Sequence, residues 1–562
     1  MNAITSHHKL ILYRKELTTR MRAVVFSFLC LVAFSHGLVT PSNLIRQSTL
    51  RISTALPATE NCDVAVFGGG FGGLYTALAV SREAKRKGRN LDVVLVEPTD
   101  TFVFLPLLYD LTVGTATEAE VCPSYADLLR GTGVRHIRAS LQSLQGDTRA
   151  ELRPTNNNNE ALSDTLLFSA GVVAVGASPA SILATVPGAE TYAQPFYTAE
   201  DAKKTRRLLN RLEEKMAAPG SCYRPRIAVV GGGFGGVEMA ASVQRRLSEW
   251  ASVTLLSRGR PMAGTLAEPL VDKALRKLGV TVEESTVESL EPSVVEGDQG
   301  VLVRRKKMGS DEFVEDDSPW DAVLWTAGSR PSDPVADGCC GLQPSQSGRL
   351  AVDPTLRCVW DDKTYAEGVP RVWALGDCAE VVQREDDSQP VLPKTAQVAM
   401  QQAETVASNI LAQLEVQGRI PSPAKTFVYQ DLGSMLMLGG PNGAVLAPRD
   451  GAFAPIFTPL LDSVGGVLGV ADEVLSAFGR SPVVEQLGLS PETLGLSLGS
   501  HGLGVDDGAA PGTLAGTLTG AARRTVYAVR MPTNQQRAVS LVSAAISTAA
   551  ALAKEASDRN KK

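Results

Sequence analysis

Two glycine-rich turns carry the plainest chemistry in this sequence. The first, Gly68-Gly-Gly70-Phe-Gly-Gly73, directly follows the apolar run Asp63-Val-Ala-Val-Phe67. At this spacing Gly68 permits a tight turn, Gly70 lets the backbone approach a pyrophosphate, and Gly73 lets a helix pack closely on a strand. A further apolar run, Asp92-Val-Val-Leu-Val96, ends on Glu97, placed to accept hydrogen bonds from ribose hydroxyls. The grammar repeats about 160 residues later, where Ile227-Ala-Val-Val230 leads into Gly231-Gly-Gly233-Phe-Gly-Gly236. Gly231, Gly233 and Gly236 take the corresponding roles. Here the following run, Val253 to Leu256, ends on Ser257, with Arg258 and Arg260 next. A carboxylate at that position binds a ribose 2′-hydroxyl and repels a 2′-phosphate. Its loss beside a gained arginine favours NADPH, with NADH left open.

Each motif has the elements needed to position it. Apolar strand, glycine turn, helical stretch and second strand follow one another in both copies, so both predict a dinucleotide-binding α/β fold. Two such folds imply two dinucleotides. The rest of the composition narrows the chemistry by exclusion. The five histidines include three in the first 36 residues, which leaves too few for a histidine metal site or a histidine-based triad. None of the eight cysteines forms a Cys-x-x-Cys pair. The net charge of −5 gives no reason to expect nucleic acid. The reaction is therefore expected to depend on a bound cofactor.

A third motif, Val372-Trp-Ala-Leu-Gly376-Asp377, joins the two glycine turns. Together they resemble the two-dinucleotide flavoproteins, and the resemblance implies that Asp377 binds the flavin ribityl and pyrophosphate. Phe168 to Pro179 and Leu324 to Pro331 resemble that superfamily's crossover strands. Within it the chain resembles the type II NAD(P)H:quinone oxidoreductases, closest to the plastid C1 class. Four stretches carry this: Phe102 to Tyr109, Gly235-Gly-Val-Glu238, Ala396 to Gln402, and Phe427 to Gly439. The resemblance covers roughly 61–450 and again 520–550. It implies FAD as the bound cofactor, NADPH or NADH as reductant, and a prenylquinone such as plastoquinone or a naphthoquinone as acceptor, without proton pumping. Glu238 then falls at the nicotinamide side, and Gln397 and Gln401 on the quinone-site helix. Being four apart, the two glutamines share a helix face from which both amides could meet quinone carbonyls, while Gln402 points elsewhere.

The implied architecture is two interleaved Rossmann-like domains with a C-terminal helical membrane-associating region. Its expected parts are a leader (1–60), the FAD-binding domain in two pieces (61–200 and 336–425), an NAD(P)H-binding domain (201–335) and a C-terminal region (426–562). The last holds a flexible insertion (451–516) and a weakly apolar amphipathic helix near 534–556, preceded by Arg523, Arg524, Arg530 and Arg537. That helix, on the family pattern, implies monotopic contact with a membrane surface; packing on the core or in a homodimer is the other reading of its stripe. Arg304-Arg-Lys-Lys307 with Asp311 to Asp317 is expected to form an exposed charged hairpin. Ala23 to Phe34 reads as a signal-peptide core behind Met21-Arg22, and Ser35 to Thr59 is free of acidic residues, as in a transit peptide. Together they suggest the bipartite leader of a secondary plastid, with a mitochondrial presequence as the alternative. Two other functions stay open: a sulfide:quinone oxidoreductase-like enzyme, kept alive by Cys122, Cys339, Cys340, Cys358 and Cys378, and a redox-sensing nucleotide-binding flavoprotein.

Overall fold

A computed structural model describes residues 59–438 with short interruptions, the longest being 361–370 and 383–391. It also describes the strands Gly443–Leu446 and Thr513–Gly516 and a set of residues between Arg523 and Ser540. The leader up to residue 58, most of the insertion and the stretch beyond Ser540 lie outside the described residues.

The first motif folds as a parallel core. The strand Thr59–Phe67 lies between Val93–Val96 and Asp164–Val173, pairing Val64 with Val93 and with Ala170. Both neighbours run parallel to it. Strands covered on both faces read as unbroken apolar runs, and Val64 to Phe67 and Val93 to Val96 are all buried. The helix Phe71–Arg86 follows the first strand. Chain order then leaves this sheet and returns much later: Val372–Ala374 adds parallel to Asp164–Val173, with Trp373 opposite Val172. That return is the interleaving expected from the sequence.

The second motif builds its own sheet. Its strands run in the order Phe313–Val314, Val301–Lys307, Thr281–Pro292, Ser252–Ser257, Arg226–Val230, Ala322–Trp325 and Gln194–Pro195. The helix Phe234–Leu247 follows Arg226–Val230. The segments that cross between the folds meet each other, Ala177–Ser178 pairing antiparallel with Arg330–Pro331. The helix Ala396–Glu415 packs against Phe71–Arg86, and Arg82 reaches Glu404 at 3.0 Å across that contact.

The structure refines two expectations about charged residues. The charged hairpin forms, with Arg305 opposite Val314, but Arg305 is not solvated: it is buried and pairs with the buried Asp316 at 2.9 Å. Of the four arginines ahead of the C-terminal stripe, Arg523 and Arg524 are internal and Arg530 and Arg537 are half-buried, so these contacts follow the core-packing reading. Arg523 meets Asp110 at 2.6 Å with both side chains 3% exposed. Arg524 meets Glu120 at 2.9 Å and donates to the Thr115 carbonyl at 2.8 Å. Gln536 donates to the carbonyl of Glu120 at 2.8 Å, and Tyr527 packs edge-on against Phe104. These bonds strap the segment across the first fold. Among the described residues no helix is long and apolar enough to cross a membrane.

Candidate active site

The two glycine turns are built alike. Gly68 has φ +101° and Gly231 φ +125°, a region closed to most side chains. A Cβ at Gly73 would run into the Gly68 carbonyl, and one at Gly236 into that of Gly231. Gly70 and Gly233 differ: nothing stands within 4 Å of an added Cβ at either. Each is the N-cap of its helix, and no side chain caps the free amides there. An open glycine beside uncapped helix amides is what a phosphate needs.

Around the first turn, Glu97 accepts from the Gly69 amide at 2.7 Å and from the Thr99 amide and hydroxyl at 3.0 and 2.8 Å. Tyr125, which the sequence reading did not single out, donates to the Gly69 carbonyl at 2.9 Å. Nothing in the spacing of Tyr125 signals this contact. At the second turn Ser257 is buried against Gly232, where any Cβ would strike its hydroxyl. Arg258 is exposed and has no ion-pair partner among the described residues, while Arg260 leans toward Glu268 at 3.5 Å.

One cavity of about 920 Å³ joins these parts. It runs from Gly68, Gly70 and Glu97 past Asp377 to Phe234, Gly235 and Glu238. Gln397 and Met400 line it from the glutamine helix, and Tyr527 and Arg530 from the C-terminal strap. Asp377 follows Gly376, whose φ of +75° turns the chain after its strand. The Gly376 amide donates to buried Gln402 at 2.8 Å, so Gln402 supports this turn and not the cavity. Burial raises the Asp377 carboxyl above its usual range, against the pull of Lys394 and Arg349.

Glu238 is buried in the helix after the second turn and accepts from the Met437 amide at 2.8 Å. Burial pushes its carboxyl up to about 7; Arg523 and the Met437 amide pull it down, and Asp110 adds to the rise. The structure separates the two glutamines. Gln397 lines the cavity, whereas Gln401 spends its amide on the backbone of Gln430, donating at 2.8 Å and accepting at 3.0 Å. Asn409, two turns on, clamps Lys425 the same way at 2.9 Å each way. The expected pair thus contributes one cavity wall residue and one backbone clamp.

The described cysteines, Cys62, Cys122, Cys222, Cys358 and Cys378, are free thiols and none lines the cavity. Burial pushes Cys378 up to about 11, and Cys122 likewise. Cys339 and Cys340 lie outside the described residues.

Residues 62–403 match the pyridine nucleotide-disulphide oxidoreductase family. The chain is 30% identical over 450 residues to the alternative NAD(P)H-ubiquinone oxidoreductase C1, chloroplastic/mitochondrial, of Arabidopsis thaliana, covering 76% of this chain and 79% of that one. The chain belongs to the type II NAD(P)H:quinone oxidoreductases. Demethylphylloquinone reductase NdbB from a Synechocystis species is 33% identical over 388 residues, covering 68% of this chain and 86% of that protein. Among solved structures, NDH2 from Plasmodium falciparum in complex with NADH shares the fold, with a TM-score of 0.56 at 17% identity over 71% of this chain and 94% of that one. As a type II enzyme the protein uses FAD and NAD(P)H. Its residues fit both: open glycines at two uncapped helix starts, a carboxylate beside the first, and Asp377 at the strand end between them.

Proposed function

We propose that this protein transfers two electrons from NAD(P)H to a prenylquinone. The observation that carries this reading is the single cavity that touches both glycine turns and the glutamine helix. In it the first helix start and Gly70 would hold the FAD pyrophosphate, Glu97 the adenosine ribose, and Asp377 the ribityl end. Gly231, Gly233 and Gly236 would receive the nicotinamide dinucleotide in the same manner. When bound, FAD supplies the two-electron relay between nicotinamide and quinone. The protein's own part is positioning. Buried Glu238 orients the nicotinamide side and holds a proton near neutral pH, and Gln397 offers an amide to a quinone carbonyl. Gln401 holds the Gln430 backbone, which leads into the strand Ser434–Met437 and so to the Met437 amide on Glu238.

NADPH is the favoured reductant on this reading, because exposed Arg258 follows a strand that ends without a carboxylate. A plastoquinone or naphthoquinone acceptor and a plastid location are supported by the relatives named for a chloroplast and for demethylphylloquinone, together with the composition of the leader. Mitochondrial targeting is the alternative. Contact with a membrane surface would fall to the stretch beyond Ser540, and a homodimer is left open.

Anaerobic stopped-flow spectroscopy tests the reading in two halves. NADPH should bleach the flavin faster than NADH, and a prenylquinone analogue should restore its colour. A flavin that sulfide reduces and NAD(P)H does not would turn the assignment to a sulfide:quinone oxidoreductase. Fast bleaching with no restoration by any quinone would leave a nucleotide sensor.

A further inference from the structure

Tyr109 stands on the short helix Leu108–Val113 at the junction of the two folds. Its ring lies on Phe196, with centroids 4.9 Å apart and planes tilted by 33°. The next residue, Asp110, is pinned by Arg523 at 2.6 Å, so the backbone under Tyr109 is held in place. The hydroxyl reaches the first turn of the second dinucleotide helix. A Cβ added at Gly235 would stand 2.8 Å from it, closer than real carbon contacts come. Glu238 lies three residues along the same helix, and Gly235, Glu238 and Tyr109 all line the cavity.

Tyr109 is half-buried, and its hydroxyl has no hydrogen-bond partner among the described residues. In the same cavity wall, Tyr125 is paired, donating to the Gly69 carbonyl at 2.9 Å. Burial raises Tyr109 well above the usual tyrosine range, with Glu238 and Tyr527 adding to the rise, so it stays a neutral donor. A fixed, neutral, unpaired donor is therefore aimed into the cavity beside the helix start that serves the nicotinamide dinucleotide. Gln397 and Met400, on the quinone side, come from a different element.

We propose that Tyr109 orients the reduced nicotinamide, its hydroxyl donating to the carboxamide oxygen of NAD(P)H in space that the bare Gly235 leaves open. The assignment rests on the NAD(P)H:quinone reading above and adds the group that sets the tilt of the nicotinamide ring.

The test compares Tyr109→Phe with the wild-type holoenzyme in the two half-reactions. Phe keeps the ring on Phe196, so folding and FAD content should be unchanged. The expected result is about a tenfold loss in the second-order rate of flavin reduction by NADPH, the worth of one good hydrogen bond. Reoxidation by a prenylquinone analogue should stay within about twofold. The thionicotinamide analogue, a weaker acceptor, should lose more rate relative to NADPH in the wild type than in Tyr109→Phe. Gly235→Ala should reproduce the reduction defect by displacing the hydroxyl. Unchanged flavin reduction overturns the proposal. So does a loss confined to reoxidation, which would aim the hydroxyl at quinone, or a shifted flavin spectrum with equal losses in both halves, which would aim it at the flavin. A wild type that NAD(P)H cannot reduce overturns the proposed function and this assignment together; a normal wild type beside an unaffected Tyr109→Phe overturns the assignment alone.

Discussion

Replacing Arg523 by Leu should destabilise the first fold severely, although Arg523 lies more than 400 residues from its partner Asp110. Both side chains are 3% exposed and 2.6 Å apart. Removing the arginine leaves the Asp110 carboxylate buried and unpaired, which costs about 3–5 kcal/mol. The Pro106 carbonyl, which accepts from Arg523 at 3.3 Å, loses a donor as well. Glu238 feels the change too: burial raises its carboxyl to about 7, and Arg523 is one of the two groups, with the Met437 amide, that hold it from rising further. Urea denaturation of the holoprotein, followed by far-UV circular dichroism and by release of flavin fluorescence, measures the cost. At a slope of about 3 kcal/mol per molar, the midpoint should fall by about 1 M or more. The double variant Arg523→Leu with Asp110→Leu removes both charges and should regain most of the loss, because an apolar pair in place of a buried ion pair is often neutral. A single variant within about 1 kcal/mol of wild type would refute the internal pairing and return Arg523 to the solvated, membrane-flanking role that its sequence context suggests.

Four further outcomes follow from the cavity. Gly70→Ala should fold but bind FAD weakly, because its Cβ projects into open cavity, whereas Gly73→Ala should fail to fold, because its Cβ meets the Gly68 carbonyl; flavin content of soluble protein separates the two. For Glu238 the folded carboxyl is raised from 4.5 to about 7, so its contribution to stability is present below about 4.5 and is lost as pH rises through about 7, a swing of roughly 3 kcal/mol that Glu238→Gln should abolish in unfolding curves taken at pH 5 and 8. Ser257→Glu should lower the NADPH-to-NADH ratio of kcat/KM by placing a carboxylate against the 2′-phosphate; an unchanged ratio removes Ser257 and Arg258 from that role. Gln397→Leu should spare flavin reduction and slow reoxidation by quinone about five- to hundredfold, the loss of about 1–3 kcal/mol, while Gln401→Leu should instead lower thermal stability by freeing Gln430.

What was legible in the sequence had a local cause. The glycine turns could be read because each requirement, a positive φ at Gly68 and no Cβ at Gly73, falls within a few residues of one strand and one helix. The return of the chain to the first sheet was implied by the resemblance that Val372 to Asp377 carries, and Val372–Ala374 does pair with Asp164–Val173. The cavity's other walls come from distant chain and left no such mark. Tyr125 sits 56 residues from the carbonyl it holds. Gln397 and Gln401 occupy one helix face, and periodicity cannot say that Gln401 clamps the Gln430 backbone.

For the arginines of the strap the sequence left two readings open, and Arg523 and Arg524 follow the core-packing one. A basic cluster before an alanine-rich helix has the composition of a membrane-proximal segment, and the sequence gives no sign that Asp110 and Glu120 wait in the first fold to neutralise it. Once paired, the cluster has a different consequence. Arg523 and Tyr527 bring the C-terminal segment to the Glu238 end of the cavity, so the Glu238 carboxyl is tuned by a segment distant in sequence. The strap is therefore part of the cavity's construction.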